Sequence, residues 1–184
     1  LDEDPSLQDR VCFVACVYPS RQDVEEYQTY ARQISEVVEA INSRHPDSIS
    51  LFTEDDFDRS LGALVTYDVL LVNSIMDGMN LVSKEGPTLN ERDGALVLST
   101  GAGSFGELGD HSVVIEDPVD VTETAARLRS ALALPLEERK RRAGALRSTI
   151  ASRAPEDWLQ EQIDDALAIR GGDPPRTSFE EPPQ

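Results

Sequence analysis

The chain has 184 residues, of which 39% are hydrophobic, and its 35 Asp and Glu against 17 Lys and Arg give a net charge of −18. That length fits one domain with a core of its own. The acidic excess excludes a nucleic-acid binder with a basic face, and no apolar run approaches the roughly 20 residues of a membrane-spanning helix. We expect a soluble, cytoplasmic protein, since no pattern of a signal peptide is present.

The first part of the chain alternates apolar runs with helical periods. The continuous apolar run VCFVACV at residues 11–17 predicts a strand buried on both faces, as in parallel sheets. Residues 23–42 have apolar side chains at helical spacing, and a short strand over 48–52 and a short helix over 57–65 follow. Residues 67–72 form a second buried strand. The order up to residue 72 is therefore strand, helix, strand, helix, strand.

The second part continues the alternation. We predict a helix over 81–90 that Gly86-Pro87 bends or interrupts. A strand over 95–98 leads into the glycine-rich turn 99–104, and another strand covers 112–115. Three amphipathic helices follow, over 121–133, 136–150 and 156–169. Residues 171–184 have no apolar period, and we expect a disordered tail there.

This alternation predicts an α/β fold of the Rossmann-like kind, a parallel sheet flanked by helices, over residues 1–170. The glycine-bearing loops each follow a strand. Open α/β sheets bind ligands beyond the carboxyl ends of their strands. The sequence therefore places a ligand site at that edge of the sheet.

The residues that most often hold metals or form disulfides are few. Cys12 and Cys16 lie four apart in a predicted strand, which separates them by about 13 Å, too far for a disulfide. We expect two buried free thiols. His45 and His111 have no partner at metal-ligand spacing. We expect neither a metal nor a cofactor.

One loop invites a chemical interpretation. After the strand at 67–72, Asp77-Gly78 forms a turn and a helix begins near Asn80. The first turn of a helix offers unpaired N–H groups to an anion, while Asp77 suits sugar hydroxyls and Glu85 a ribose diol. An ordinary capped helix with a solvated acid explains these features alone equally well.

Residues 77–85, DGMNLVSKE, resemble the DGMNLVAKE signature of the trehalose-6-phosphate synthases, retaining glycosyltransferases of family 20 with the two-domain GT-B fold. The single difference is Ser83. The stretches 18–27 and 93–99 agree with the family in order and spacing, and 129–139 resembles its C-terminal helices. The resemblance covers residues 1–169 and implies the C-terminal, nucleotide-sugar-binding domain of such an enzyme.

The resemblance implies a role for each residue of this signature. Asp77, the residue it assigns to catalysis, would accept hydrogen bonds from hydroxyls of the donor ring, and Glu85 would bind the ribose. The ring hydroxyls and the diphosphate would be bound by backbone N–H groups, namely those of Gly78, Met79, Asn80 and Leu81.

Three further residues and the partners also follow from the resemblance. Asp56 and Phe57 would contact the base, and Arg21 would reach the phosphate of the acceptor. The family's N-terminal Rossmann domain and the Arg/Lys loop that neutralises the diphosphate do not precede Val11. We therefore expect residues 1–170 to be inactive by themselves, because they lack the acceptor domain, the Arg/Lys loop and the first strand of their own domain. The oligomeric state stays open, a homodimer included.

Three departures from the family pattern lie on the donor side. Ser74-Ile75-Met76 replaces Pro-x-Arg, Gly86-Pro87-Thr88 follows Lys84-Glu85, and 100–104 replaces a residue pair and Ala-Gly-Ala. They favour the pseudo-glycosyltransferases of validamycin biosynthesis, which couple GDP-valienol to validamine 7-phosphate. That reaction forms a C–N bond with retention and yields validoxylamine A 7′-phosphate. Drift in a surface loop is the alternative explanation.

Two other functions stay open at this point. The first is a trehalose-6-phosphate synthase that uses GDP- or UDP-glucose and glucose 6-phosphate. The second, of another class, is a nucleotide-binding module without catalysis. The sequence does not decide between guanine and uracil in the nucleotide, since the segment at Asp56-Phe57 suits either.

Overall fold

The computed structural model describes residues 1–2, 4–19, 23–152 and 155–171. They divide into two compact units, Leu1–Val65 (the first unit) and Thr66–Gln184 (the second unit). All strand pairs in both units are parallel, and helices flank them. The predicted α/β class with parallel sheets is confirmed.

The first unit contains a two-stranded sheet. Strand β1 (Phe13–Cys16) pairs in parallel with β2 (Ile49–Phe52), and helix α1 (Glu25–Arg44) connects them. A short 3₁₀ turn, Pro5–Leu7, precedes β1, and α2 (Phe57–Thr66) follows β2. The Asn42 side chain exchanges two hydrogen bonds with the backbone of Ile49, at 2.8 and 3.0 Å, which ties the end of α1 to the start of β2.

The prediction that β1 is buried on both faces is wrong. Phe13 and Val14 are 43% and 49% exposed, and no residue of β1 is fully buried. The reason is that β1 pairs with β2 alone among the described residues, and α1 packs mainly on β2. Cys12 and Cys16 are free, as predicted, but Cys12 is exposed and Cys16 only half-buried.

The second unit contains a three-stranded sheet in the order β3 (Val69–Val72), β4 (Ala95–Ser99), β5 (Val113–Ile115). Every residue of β4 is buried, as a central strand requires. Alternate residues of β4 enter two apolar clusters, Leu96 and Leu98 on one face and Ala95 and Val97 on the other. The described residues of this unit form four helices longer than one turn: α3 (Val82–Leu89), α5 (Val121–Leu132), α6 (Leu136–Ala151) and α7 (Pro155–Gly171).

Of the two outcomes predicted for Gly86-Pro87, a bend or an interruption of α3, the interruption is wrong, since the helix runs through Pro87. The proline removes one backbone hydrogen bond, while the Asn90 N–H still bonds to the Gly86 carbonyl at 2.9 Å and closes the last turn. Gly86 lies against β3, where an added Cβ would overlap the Leu70 side chain. Gly86 and Pro87 lie on the buried side of α3, and this burial offsets the lost hydrogen bond.

Two short elements of the second unit were not predicted, namely α4 (Phe105–Leu108) and the 3₁₀ turn Gly109–His111. Segments of three or four residues are too short to show a period. Of the tail predicted at 171–184, Gly171 is the last residue of α7, and residues 172–184 fall outside the described residues. Within the described part of the chain, no helix is both long and apolar enough to cross a bilayer.

Candidate functional site

Two loops of the second unit meet at the carboxyl edge of its sheet. Residues 73–81 connect β3 to α3, and residues 100–104 connect β4 to α4. The Asp77 N–H donates to the Gly101 carbonyl at 3.0 Å, and Ser99 Oγ donates to the Ser74 carbonyl at 2.7 Å. The structure thus brings the DGMNLVSKE segment and the glycine-rich turn together, as the order of strands and loops predicts.

Glycines in the second loop make this contact possible. A Cβ on Gly103 would overlap the Gly78 carbonyl, and one on Gly101 would overlap the carbonyls of Ser74 and Ile75. Gly78 itself faces open space, so its missing side chain leaves backbone exposed rather than allowing a close approach to other protein atoms. The left-handed backbone of this turn is taken by Asn80, at φ 60°, a residue type that tolerates it.

Asn80 also fixes the carboxylate of Asp77. Its Nδ2 donates to Asp77 Oδ2 at 2.7 Å, and its Oδ1 accepts the Ser83 N–H at 2.9 Å. Ser74 Oγ adds a donor to the same Oδ2 at 3.2 Å. The Asn80 amide first, and then Ser74 and the N–H groups of Met79 and Gly78, hold the pKa of Asp77 below its ordinary value, outweighing desolvation. Asp77 is therefore an oriented anion at neutral pH.

The start of α3 leaves some N–H groups unpaired. The N–H groups of Lys84 and Glu85 bond to the Leu81 carbonyl at 2.9 and 2.8 Å. By contrast, the N–H groups of Asn80 and Leu81 donate to no acceptor among the described residues. Groups of this kind, at the positive end of a helix dipole, are suited to an anionic oxygen.

The two charged side chains of α3 differ, since Lys84 has an ion-pair partner and Glu85 has none among the described residues. Lys84 Nζ pairs with Glu107 Oε2 at 2.8 Å, and both side chains are about one-third exposed or less. Neighbouring Glu85 is exposed. The pair links α3 to α4, and Glu85 remains available to a ligand.

The other predicted site residues lie in the first unit or outside the described residues. Asp56 and Phe57 lie in the first unit, where Asp56 accepts the Arg59 N–H at 2.9 Å and pairs with its guanidinium at 3.0 Å. The Phe57 ring is free, with the residue 74% exposed. Arg21 lies outside the described residues.

Sequence reasoning missed the structural part played by three serines. Ser74 contacts Asp77, and Ser83 and Ser104 contact each other. The one available signal was that all three stand where the sequence departs from the family pattern. Taken together, those departures single out three hydroxyl side chains as candidates for contacts between the loops.

Comparisons with known proteins agree on one family. The model of the family described as Glycosyltransferase family 20 matches residues 1–168. "Probable alpha,alpha-trehalose-phosphate synthase [UDP-forming] 2" of Arabidopsis thaliana is 35% identical over 164 residues, 86% of this chain and 20% of that protein. The validamine 7-phosphate valienyltransferase of Streptomyces hygroscopicus subsp. jinggangensis is 28% identical over 151 residues, 82% of this chain and 30% of that protein.

A solved structure shows the same fold. The UDP-forming alpha,alpha-trehalose-phosphate synthase of Burkholderia xenovorans superimposes with a TM-score of 0.85 at 26% identity. The match covers 92% of this chain and 39% of that one. The chain therefore spans between a fifth and two-fifths of the length of these proteins.

Proposed function

Because the chain belongs to glycosyltransferase family 20, we propose that it binds the nucleotide-linked donor in a transferase of the trehalose-6-phosphate synthase kind. The donor is UDP- or GDP-glucose, and the acceptor is a phosphorylated sugar such as glucose 6-phosphate. The sequence departures alone favour cyclitol transfer, but the trehalose-phosphate synthase is the more similar relative, at 35% against 28% identity. The glucosyl reaction is therefore the better supported of the two.

The contact of the two loops in the second unit carries this proposal. Asp77, bonded through Asn80 and Ser74, presents an oriented carboxylate beside the exposed backbone of Gly78. The N–H groups of Asn80 and Leu81 are unpaired among the described residues. In the proposed complex Asp77 accepts hydrogen bonds from ring hydroxyls, the N–H groups of Asn80 and Leu81 bind the ring and diphosphate oxygens, and Glu85 binds the ribose. The N–H groups of Gly78 and Met79 face the Asp77 carboxylate and hold it in place.

Transfer with retention then needs little from the protein beyond positioning and charge. The bond between the anomeric carbon and the diphosphate oxygen breaks while the acceptor hydroxyl attacks from the same face. The departing diphosphate takes the proton of that hydroxyl. Unpaired N–H groups stabilise the charge that develops on the diphosphate, so the proposal calls for neither a metal nor a cofactor.

A second candidate is transfer of an unsaturated cyclitol from a GDP-linked donor such as GDP-valienol to validamine 7-phosphate. Met76, where the family has arginine, is 92% exposed, and Ser74 adds a hydroxyl to Asp77 that a proline lacks. An allylic cation spreads its charge over the double bond, so the C–O bond to the diphosphate breaks while the amine attacks from the same face and forms the C–N bond. The departing diphosphate takes the proton of the amine.

Calorimetric titration of the chain with UDP and GDP tests the proposal. We expect saturable binding of UDP, its loss in Glu85→Ala, and its survival in Glu91→Ala, an exposed acid outside the signature. Tighter binding of GDP would favour the cyclitol donor. Equal binding by wild type and Glu85→Ala would contradict the ribose assignment, and no binding of either nucleotide would contradict the proposed function.

Turnover of UDP-glucose with glucose 6-phosphate, assayed on the product of the complete gene, separates a transferase from a module that only binds.

A further inference from the structure

Two buried hydroxyls join the loops behind the candidate site. Ser83 and Ser104 are 0% and 1% exposed, and their Oγ atoms lie 2.6 Å apart. Ser83 Oγ also donates to the Asn80 carbonyl at 2.7 Å. Since each hydroxyl has one proton, Ser104 must donate to Ser83 while Ser83 donates to Asn80. Both hydroxyls are thus satisfied in one directed chain.

The chain of hydrogen bonds runs between the two parts of the site. Ser83 lies in the first turn of α3, two residues after Leu81, whose N–H group has no acceptor among the described residues. Ser104 ends the glycine-rich turn, and its carbonyl accepts the first N–H bonds of α4, from Glu107 and Leu108 at 3.1 and 3.0 Å. A shift of Ser104 would therefore move both the turn and α4.

The same two positions depart together from the family pattern. Residue 83 is the single difference from DGMNLVAKE, and residue 104 replaces the last alanine of Ala-Gly-Ala. Ser104 facing an alanine at position 83 would be a buried hydroxyl without a partner, which is costly, whereas Ser83 facing an alanine would keep its bond to the Asn80 carbonyl. Two serines, or two alanines, avoid that cost.

We propose that Ser83 and Ser104 are a positioning pair, whose hydrogen bond sets the separation between the first turn of α3 and the turn at 100–104. The Asp77 N–H bond to Gly101, at 3.0 Å, spans that separation on the ligand side. The pair thereby determines the space that is available to the diphosphate of the donor, and this consequence rests on the proposed function. The hydrogen bond between the two serines does not depend on the proposed function.

The directed chain predicts effects of opposite sign. Ser83→Ala leaves the Ser104 hydroxyl buried without an acceptor, whereas Ser104→Ala leaves Ser83 still bonded to Asn80. The double substitution restores an apolar contact. Ser104→Ala should therefore loosen the loops in the wild type but tighten them in the Ser83→Ala background.

Amide hydrogen exchange of Asp77 measures this separation without any nucleotide. We expect Ser83→Ala to speed exchange roughly tenfold, the effect of one unsatisfied buried hydroxyl. Ser104→Ala should speed it by a smaller factor, and the double variant should exchange more slowly than Ser83→Ala alone. An amide in the centre of β4 should not follow this order, which separates local positioning from global destabilisation.

Ser112→Ala is the matched control. Ser112 is buried and donates to the Leu108 carbonyl at 2.8 Å, but it lies outside both loops. It should lower the unfolding temperature without changing Asp77 exchange relative to β4. The proposal is overturned if Ser104→Ala has the same effect in both backgrounds, or if Asp77 exchange follows β4 in every variant.

UDP affinity then tests the consequence for the donor. The dissociation constants should follow the order of the exchange rates, weakest for Ser83→Ala and partly recovered in the double variant. Equal affinities in all variants would overturn the effect on the ligand. If the wild type bound no nucleotide, the proposed function would fail, while the exchange order would still decide the positioning pair.

Discussion

The second unit buries its central strand completely, whereas the first unit leaves β1 largely exposed. Both strands come from continuous apolar runs. β4 lies between β3 and β5, with α5 and α6 packed against it, while β1 pairs with β2 alone among the described residues. An apolar run therefore predicts a strand, but the neighbours that cover it depend on the rest of the fold.

The same contrast extends to the candidate site. In the second unit, the signature residues lie on loops fixed by hydrogen bonds to each other and anchored by buried Ala102 and Leu108. In the first unit, the predicted base-contacting Phe57 is an exposed ring at the start of a helix. A preorganised binding loop needs such support beneath it.

The largest expected effect is the loss of stability when a buried apolar side chain is shortened, and it should differ between the two units. Leu98→Ala should lower the free energy of unfolding by about 2–5 kcal/mol, because it opens a cavity at a fully buried position. Val14→Ala, on the exposed β1, should cost less than about 1 kcal/mol. Urea unfolding followed by circular dichroism measures both. Similar losses would break the contrast between the units.

A smaller effect tests the contact of the two loops. Gly103→Ala should destabilise the second unit by about 1–3 kcal/mol and weaken UDP binding, since its Cβ would overlap the Gly78 backbone. Gly106→Ala is the control, because a Cβ there meets no neighbouring atom. Unfolding and calorimetry on both variants provide the measurement. If the two alanines behaved alike, the loop contact would not be as close as described.

The titration of Asp77 sharpens the account of the site. Its folded pKa is lowered chiefly by the Asn80 amide, so the carboxylate stabilises the fold above the unfolded pKa and loses that contribution as pH falls through the folded value. Asn80→Gly keeps the left-handed backbone and should raise the pKa of Asp77. Ser74→Ala should raise it less. Carboxyl-carbon NMR titration measures both, and an unchanged pKa in Asn80→Gly would contradict the assigned cause.

The smallest expected effect concerns the rim of the site. Met76→Arg restores the charge type of the family pattern at a 92% exposed position. Stability should change by less than about 0.5 kcal/mol, while UDP should bind more tightly at low salt and lose that gain at high salt. Met76→Leu, which adds no charge, should leave affinity unchanged. A salt-independent gain would contradict the electrostatic explanation.

Periodicity and turn chemistry were enough to predict much of the fold. The strands β3 to β5 and the helices other than α4 follow from apolar runs and helical spacing, and the meeting of the two loops follows from parallel strand order. The uninterrupted α3 could not be predicted, because Gly86 and Pro87 are stabilised by packing against β3 and its surroundings. The Ser83–Ser104 bond joins residues 21 apart in the chain, and no local pattern specifies such a partner.

The most direct test of the central claim is to map UDP binding by amide NMR on the chain. We expect the largest chemical-shift changes on residues 77–85 and 101–104, and we expect Glu85→Ala to abolish them at the same UDP concentration. Shifts confined to the first unit, or shifts that persist unchanged in Glu85→Ala, would contradict it.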